Sequence, residues 1–201
     1  MLTLPTFGKN QRIGLFGGSF NPAHAGHRMV ALYALKRLQL DWVWWLVSPQ
    51  NPLKDTKQTG EYSARFAHTK IIANHPRFKV TSLEKQIHSR NTAQTLNALK
   101  QVMTRANFVW IMGADSFRDL DKWHNWTQIV ETLPIAVLAR PGYSVRALSG
   151  QAALRYRKYR LSNDQAGRLA SCHTPAWVFI SMPLRPESST AIRQAVKSVS
   201  H

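Results

Sequence analysis

Three observations predict a doubly wound, parallel α/β fold for this 201-residue chain. Short apolar runs of strand length recur along it. Stretches of helical length and spacing separate them. The runs are also mostly continuous rather than alternating, as strands buried on both faces by helices should be. Alternation of strand with helix is the signature of parallel strand–helix–strand units.

The elements follow in order. Residues 12–16 form the first strand and 27–38 the first helix. The second strand, 42–47, is a run of six apolar residues with three tryptophans. A helix at 62–73 leads to a strand at 78–81, and a helix at 92–103 leads to a strand at 108–112. A short helix at 126–132 and a strand at 135–139 complete the repeating pattern. After Arg140-Pro141-Gly142 the pattern weakens into a small helical C-terminal part, about 145–201. There, residues 150–170 read as helical and basic, 177–180 as a last strand, and Ser188-Ser189-Thr190 as a helix start, since hydroxyls cap free backbone N–H groups. With no internal repeat or long linker, a single domain over 1–201 is expected.

Composition narrows the function classes. Lys and Arg number 27 against 10 Asp and Glu, a formal charge of +17 with neutral histidine and an isoelectric point near 10.8. Such a surface attracts phosphate. The cations divide evenly, 14 in residues 1–100 and 13 in 101–201, so no basic tail exists. The densest group, Arg155, Arg157, Lys158 and Arg160, reads as a solvated face. No nucleic-acid-binding module is recognisable, and nucleic acid is not the expected partner. The single cysteine, Cys172, excludes an intramolecular disulfide and a Cys-cluster metal site, and a reducing cytoplasm is the expected setting. No apolar run reaches the roughly 18 residues of a membrane span, and residues 1–12 lack the apolar core of a secretory signal.

The most informative segment is Gly14-Leu15-Phe16-Gly17-Gly18-Ser19-Phe20-Asn21-Pro22-Ala23-His24-Ala25-Gly26-His27. It leaves the first strand and enters the first helix, at the sheet edge where open α/β folds bind ligands. Gly17 and Gly18 let backbone approach a ligand closely. His27 falls in the first helical turn, where free N–H groups and the helix dipole favour an anion. The segment is neither a Gly-x-x-x-x-Gly-Lys-Ser/Thr loop nor a Gly-x-Gly-x-x-Gly fingerprint. Two imidazoles three residues apart can both donate to one phosphate chain. They could instead be a metal pair, but no Cys or close carboxylate completes a tetrahedral set, and no protein-held metal is expected.

Phe20-Asn21-Pro22-Ala23-His24-Ala25-Gly26-His27 resembles the His-x-Gly-His motif of the nucleotidylyltransferase superfamily. Ser188-Ser189-Thr190-Ala191-Ile192-Arg193 resembles its second signature, Ser-x-Thr-x-Ile-Arg. Between them, Pro49-Gln50-Asn51-Pro52-Leu53-Lys54, Asn91-Thr92-Ala93-Gln94-Thr95-Leu96, Gly113-Ala114-Asp115-Ser116, Trp123 with Trp126, and Arg140-Pro141-Gly142 are similar to segments of the bacterial nicotinate-nucleotide adenylyltransferases. The resemblance runs from about residue 12 to 193. Asn21, Asn91 and Gln94 depart from the frequent Asp, Tyr and Asp, and Glu187 stands where an apolar residue is usual.

The resemblance implies a Rossmann-like fold and the joining of nicotinate mononucleotide to ATP, giving nicotinate adenine dinucleotide and pyrophosphate. Nicotinamide mononucleotide and phosphopantetheine are the alternative acceptors. It also implies roles. His24, His27 and Arg193 would act on the phosphates, with His27 foremost. Gly17, Gly18, Ser19, Phe20, Gly113 and Asp115 would join them around ATP, together with Ser188, Ser189 and Thr190. Lys54, Thr92, Trp123 and Arg140 would meet the nicotinate nucleotide. Mg²⁺ would be held mainly by the ATP phosphates.

Overall fold

The computed structural model describes residues 3–49, 59–89, 91–139, 147–183, 189–190 and 192–193. A seven-stranded sheet runs in the order β3-β2-β1-β4-β5-β7-β6, and every pairing in it is parallel. Its strands are β1 (Arg12–Gly18), β2 (Trp42–Val47), β3 (Phe78–Thr81), β4 (Asn107–Gly113), β5 (Ile135–Leu138), β6 (Arg160–Leu161) and β7 (Trp177–Ile180). The chain steps outward from β1 through β2 to β3, then returns to lay β4 on the other side of β1. That reversal leaves a crevice at the carboxyl ends of β1 and β4, the usual ligand position in this architecture.

Helices cover both faces. Helix α1 (Ala25–Arg37) buries Val30, Ala31, Ala34 and Leu35 on one face, where Val43, Trp45 and Val109 also lie. Helix α2 (Tyr62–Ile72) packs Tyr62, Phe66 and Ile72 against the same core. On the opposite face, α4 (Thr92–Met103) contributes Ala93, Leu96 and Leu99 beside Trp44, Phe108 and Trp110. The short helices α3 (Leu83–Gln86), α5 (Ala114–Arg118), α6 (Trp126–Thr132) and α7 (Gln151–Arg155) complete that face through Leu83, Phe117, Ile129 and Ala152. The central strands are therefore apolar on both sides, which explains their continuous runs.

Two boundaries differ from the sequence expectation for a packing reason. Strand β1 extends through Gly17 and Gly18 instead of ending at Phe16. A Cβ on Gly17 would stand 2.8 Å from Trp110 Cη2, so this glycine makes room for a neighbouring ring. Helix α1 starts at Ala25, two residues early, because His24 is its N-cap. It ends with Leu40 N–H donating to Leu35 O (3.0 Å) and Gln39 N–H to Lys36 O (3.3 Å). Gln39 takes the left-handed conformation this ending requires, with φ 52°.

The expected helix over 150–170 is a correction. It breaks into α7, a 3-10 turn at Arg157–Tyr159, strand β6 and a 3-10 segment at Asn163–Ser171. A Cβ on Gly167 would stand 3.0 Å from the Gln39 amide nitrogen, so a larger residue there would push that side chain aside. The basic residues do more than face solvent: the Arg155 guanidinium lies 5.6 Å from the Trp126 ring and that of Arg160 lies 5.3 Å from Trp177. Among the described residues, no helix is long and apolar enough to cross a membrane.

Candidate active site at the carboxyl edge of the sheet

The segment after β1 is fixed from several directions. Phe20 adopts a left-handed backbone (φ 44°), and the Asn21–Pro22 bond is cis. Phe20 is only 1% exposed and packs edge-on against Phe16 and His27, at 5.4 and 5.2 Å between centroids. Its side chain is thus a floor under His27 and does not line the cleft.

His24 is 5% exposed, and its ring centroid lies 3.8 Å from that of His27. The His24 N–H donates to His27 Nδ1 at 3.3 Å. A nitrogen that accepts cannot carry the ring proton in the neutral imidazole, so His27 holds its N–H at Nε2. The helix start itself fixes this tautomer. The first turn of α1 contains no acidic residue, so the free N–H groups at its start keep their positive end.

The backbone carbonyls of this segment are taken up one after another. Ser19 O accepts from Arg65 Nη1 (2.5 Å), Asn21 O from Arg193 Nη1 (2.7 Å), and Pro22 O from Ser189 Oγ (3.0 Å). Ala23 O accepts from His68 Nε2 (3.0 Å). The two sequence motifs, 167 and 172 residues apart at these contacts, therefore meet directly. Arg193 also directs Nη2 toward Thr190 Oγ1 at 3.4 Å.

Across the crevice, Gly113 ends β4 and is the N-cap of α5, whose first turn carries Asp115. Because Phe16 pairs with Ile111, Gly113 and Gly18 both lie two residues further on, at the same edge. Thr92 opens α4. Asn91, a departure from the family pattern, accepts the Gln94 N–H at 3.0 Å and so caps that helix. Buried Glu84 connects α4 with the end of β2: it accepts from Thr95 Oγ1 at 3.2 Å and is hydrogen-bonded to the Ser48 side chain. Burial pushes its carboxyl above the ordinary range. Trp123 is half-buried against the α4-side core, with part of its ring surface open. Lys54, Arg140, Ser188 and Glu187 lie outside the described residues.

Sequence reasoning passed over Arg65 and His68, both on α2. The available signal was a cation on the apolar stripe of that helix, one turn from Tyr62 and Thr69.

The match to known proteins is extensive. A family model described as cytidylyltransferase-like matches residues 15–195. A probable nicotinate-nucleotide adenylyltransferase of Mesorhizobium japonicum is 46% identical over 194 residues, 96% of this chain and 100% of the relative. The chain belongs to the cytidylyltransferase-like family, among its nicotinate-nucleotide adenylyltransferases. A family member of the same name from Rhizobium meliloti is 45% identical over 91% of this chain and 97% of its own length. In fold, the family likeness reaches a Plasmodium falciparum nicotinic acid mononucleotide adenylyltransferase complexed with NaAD. That structure has a TM-score of 0.69 and 19% identity, over 92% of this chain and 83% of the other.

Proposed function

We propose that this chain joins nicotinate mononucleotide to ATP, forming nicotinate adenine dinucleotide and releasing pyrophosphate. One observation carries the reading beyond the family match: Arg193 and Ser189 hold the carbonyls of Asn21 and Pro22, so both phosphate motifs frame one cleft beside the α1 N-terminus.

The chemistry suits those residues. A phosphate oxygen of the mononucleotide attacks the α-phosphorus of ATP, a new P–O bond forms, and the α–β bridge breaks toward pyrophosphate. A phosphate monoester has a second pKa of about 6, so the nucleophile is already largely dianionic at neutral pH. Catalysis then consists of holding two anions in line and stabilising the charge that moves to the leaving group. His27 Nε2–H donates to the transferring phosphate, with His24 packed behind it. Arg193 offers its planar fork to the leaving phosphates, and Ser188, Ser189 and Thr190 add neutral donors. Gly17, Gly18, Ser19 and the Phe20 backbone, with Gly113 and Asp115 across the crevice, cradle the nucleotide. Thr92, Trp123, Lys54 and Arg140 serve the nicotinate side.

Magnesium would be held mainly by the ATP phosphates, where it would neutralise their charge. Among the described residues no group of three or more His, Cys, Asp or Glu could hold an ion, and this donor set fits a metal carried by the nucleotide and water.

The test is an acceptor panel. With ATP, pyrophosphate release should be at least about tenfold faster with nicotinate mononucleotide than with nicotinamide mononucleotide or phosphopantetheine, a difference in transition-state binding of about 1.4 kcal/mol. A faster rate with either rival would refute the acceptor assignment.

A further inference from the structure

We propose that Arg65 is a positioning residue for the adenylyl transfer, fixing the phosphate-binding segment against the segment that leaves β2; this rests on the function just proposed. Arg65 is 4% exposed, although it stands on α2, where only Arg65 and Thr69 of eleven residues are buried. Its guanidinium meets four carbonyls from three separate stretches of chain. Nε donates to Gly60 O (2.8 Å), Nη1 to Ser19 O (2.5 Å) and Ser48 O (2.9 Å), and Nη2 to Pro49 O (2.8 Å). Ser19 follows β1, Ser48 and Pro49 follow β2, and Gly60 precedes α2. A second bond crosses the same junction, Gly60 N–H to Asn21 Oδ1 at 3.1 Å.

The choice of residue is the informative part. Among the described residues, no carboxylate lies within ion-pair distance of Arg65; Glu61 acts on it only at longer range, and its direct partners are carbonyl dipoles and the face of Tyr62, 5.5 Å away. Burying a cation without a directly paired anion is an expensive way to stabilise a core. What the guanidinium supplies instead is geometry. Five N–H donors in one rigid plane can hold several carbonyls at set angles, which a Lys ammonium on a flexible stem cannot.

The consequence lies at the reacting atoms. The segment tied through Ser19 and Asn21 continues directly into His24 and His27. The segment tied through Ser48 and Pro49 leaves β2 beside β1 at the same carboxyl edge of the sheet. Arg65 therefore sets the spacing of two segments at the edge where the substrate pair would bind, and acts through them. A misplacement of about 1 Å in such a pair can slow turnover roughly 10²-fold while each substrate still binds.

Arg65→Lys, with Arg65→Gln as a neutral comparison, is tested for folding by circular dichroism, for separate ATP and nicotinate mononucleotide binding by calorimetry, and for turnover. In folded Arg65→Lys, kcat should fall about 10²-fold, while both dissociation constants stay within roughly threefold of the parent. Parental kcat in that folded variant would overturn the proposal, as would a loss confined to the binding of one substrate. If neither variant folds, Asn21→Ala cuts the other bond across the junction. Reduced kcat with both substrates still bound supports the proposal, and unchanged kcat overturns it. The parent protein runs alongside: a parent that forms no dinucleotide refutes the assigned reaction, whereas an active parent matched by active variants refutes only the role of Arg65.

Discussion

Replacing His27 by alanine separates what this ring does for catalysis from what it does for the fold. On the catalytic side, the Nε2–H donor is lost. Removing one preorganised donor to a transition-state charge typically lowers kcat by 10²–10³-fold, about 2.7–4 kcal/mol. On the structural side, the His24 N–H loses its 3.3 Å acceptor and Phe20 loses an edge-on ring at 5.2 Å. One net hydrogen bond is worth about 0.5–1.5 kcal/mol, and an aromatic contact about 0.5–1.5 kcal/mol. Together these destabilise by about 1–3 kcal/mol, roughly 2–12 °C in Tm for a domain of this size. Circular dichroism melts and continuous pyrophosphate release measure the two effects on the same preparation. A His27→Ala protein that melts a few degrees early and turns over at the parental rate would refute the catalytic role. One that loses both activity and fold at 25 °C would refute the structural account.

Three further predictions concern other parts of the molecule. Arg193→Lys keeps the charge but loses the fork that now reaches Asn21 O and Thr190 Oγ1; kcat/KM for ATP should drop roughly 10- to 150-fold, the equivalent of about 1.5–3 kcal/mol for a charge-assisted hydrogen bond, and parental pyrophosphate release would contradict it. Glu84→Gln tests the buried carboxyl. Because burial raises its folded pKa above the ordinary 4.5, its stabilising contribution is fully present below that pH and is lost as pH rises through the folded value. The Tm of the parent should therefore fall relative to Glu84→Gln on going upward from pH 4.5, and a constant difference between the two would refute this. Gln39→Gly relieves the left-handed strain at the end of α1 and should stabilise by about 0.5–1 kcal/mol, a rise of roughly 1–4 °C; an unchanged or lower Tm would show that the Gln39 contacts with Arg12 and Gly167 outweigh the strain.

The parts of the fold visible in the sequence are those governed by local pattern. The strands at Trp42–Val47, Phe78–Thr81 and Trp177–Ile180 and the helix Thr92–Met103 match their expected bounds, because apolar runs and helical spacing are written residue by residue. The errors arise where a distant neighbour decides. Gly17 and Gly18 belong to β1 because they pair with Leu46 and Val47 of β2, and position 17 is glycine because Trp110 occupies the space beside it. The basic stretch after α7 gives up a helix to pair Arg160 and Leu161 with β7. In the site, the histidine pair and the C-terminal Arg193 stood out as chemistry-bearing types in a recognisable spacing. Arg65 did not, since its partners are backbone oxygens brought from three stretches of the chain, and a carbonyl leaves no mark in a sequence.

The contacts from Ser189 and Arg193 tie the strand-to-helix segment to a part of the chain that the sheet does not use. Every described strand lies at or before Ile180, whereas the hydroxyl and the guanidinium hold the carbonyls of Pro22 and Asn21. Loosening those two bonds would therefore disturb the stretch that carries His24 and His27 and leave the strand pairings in place.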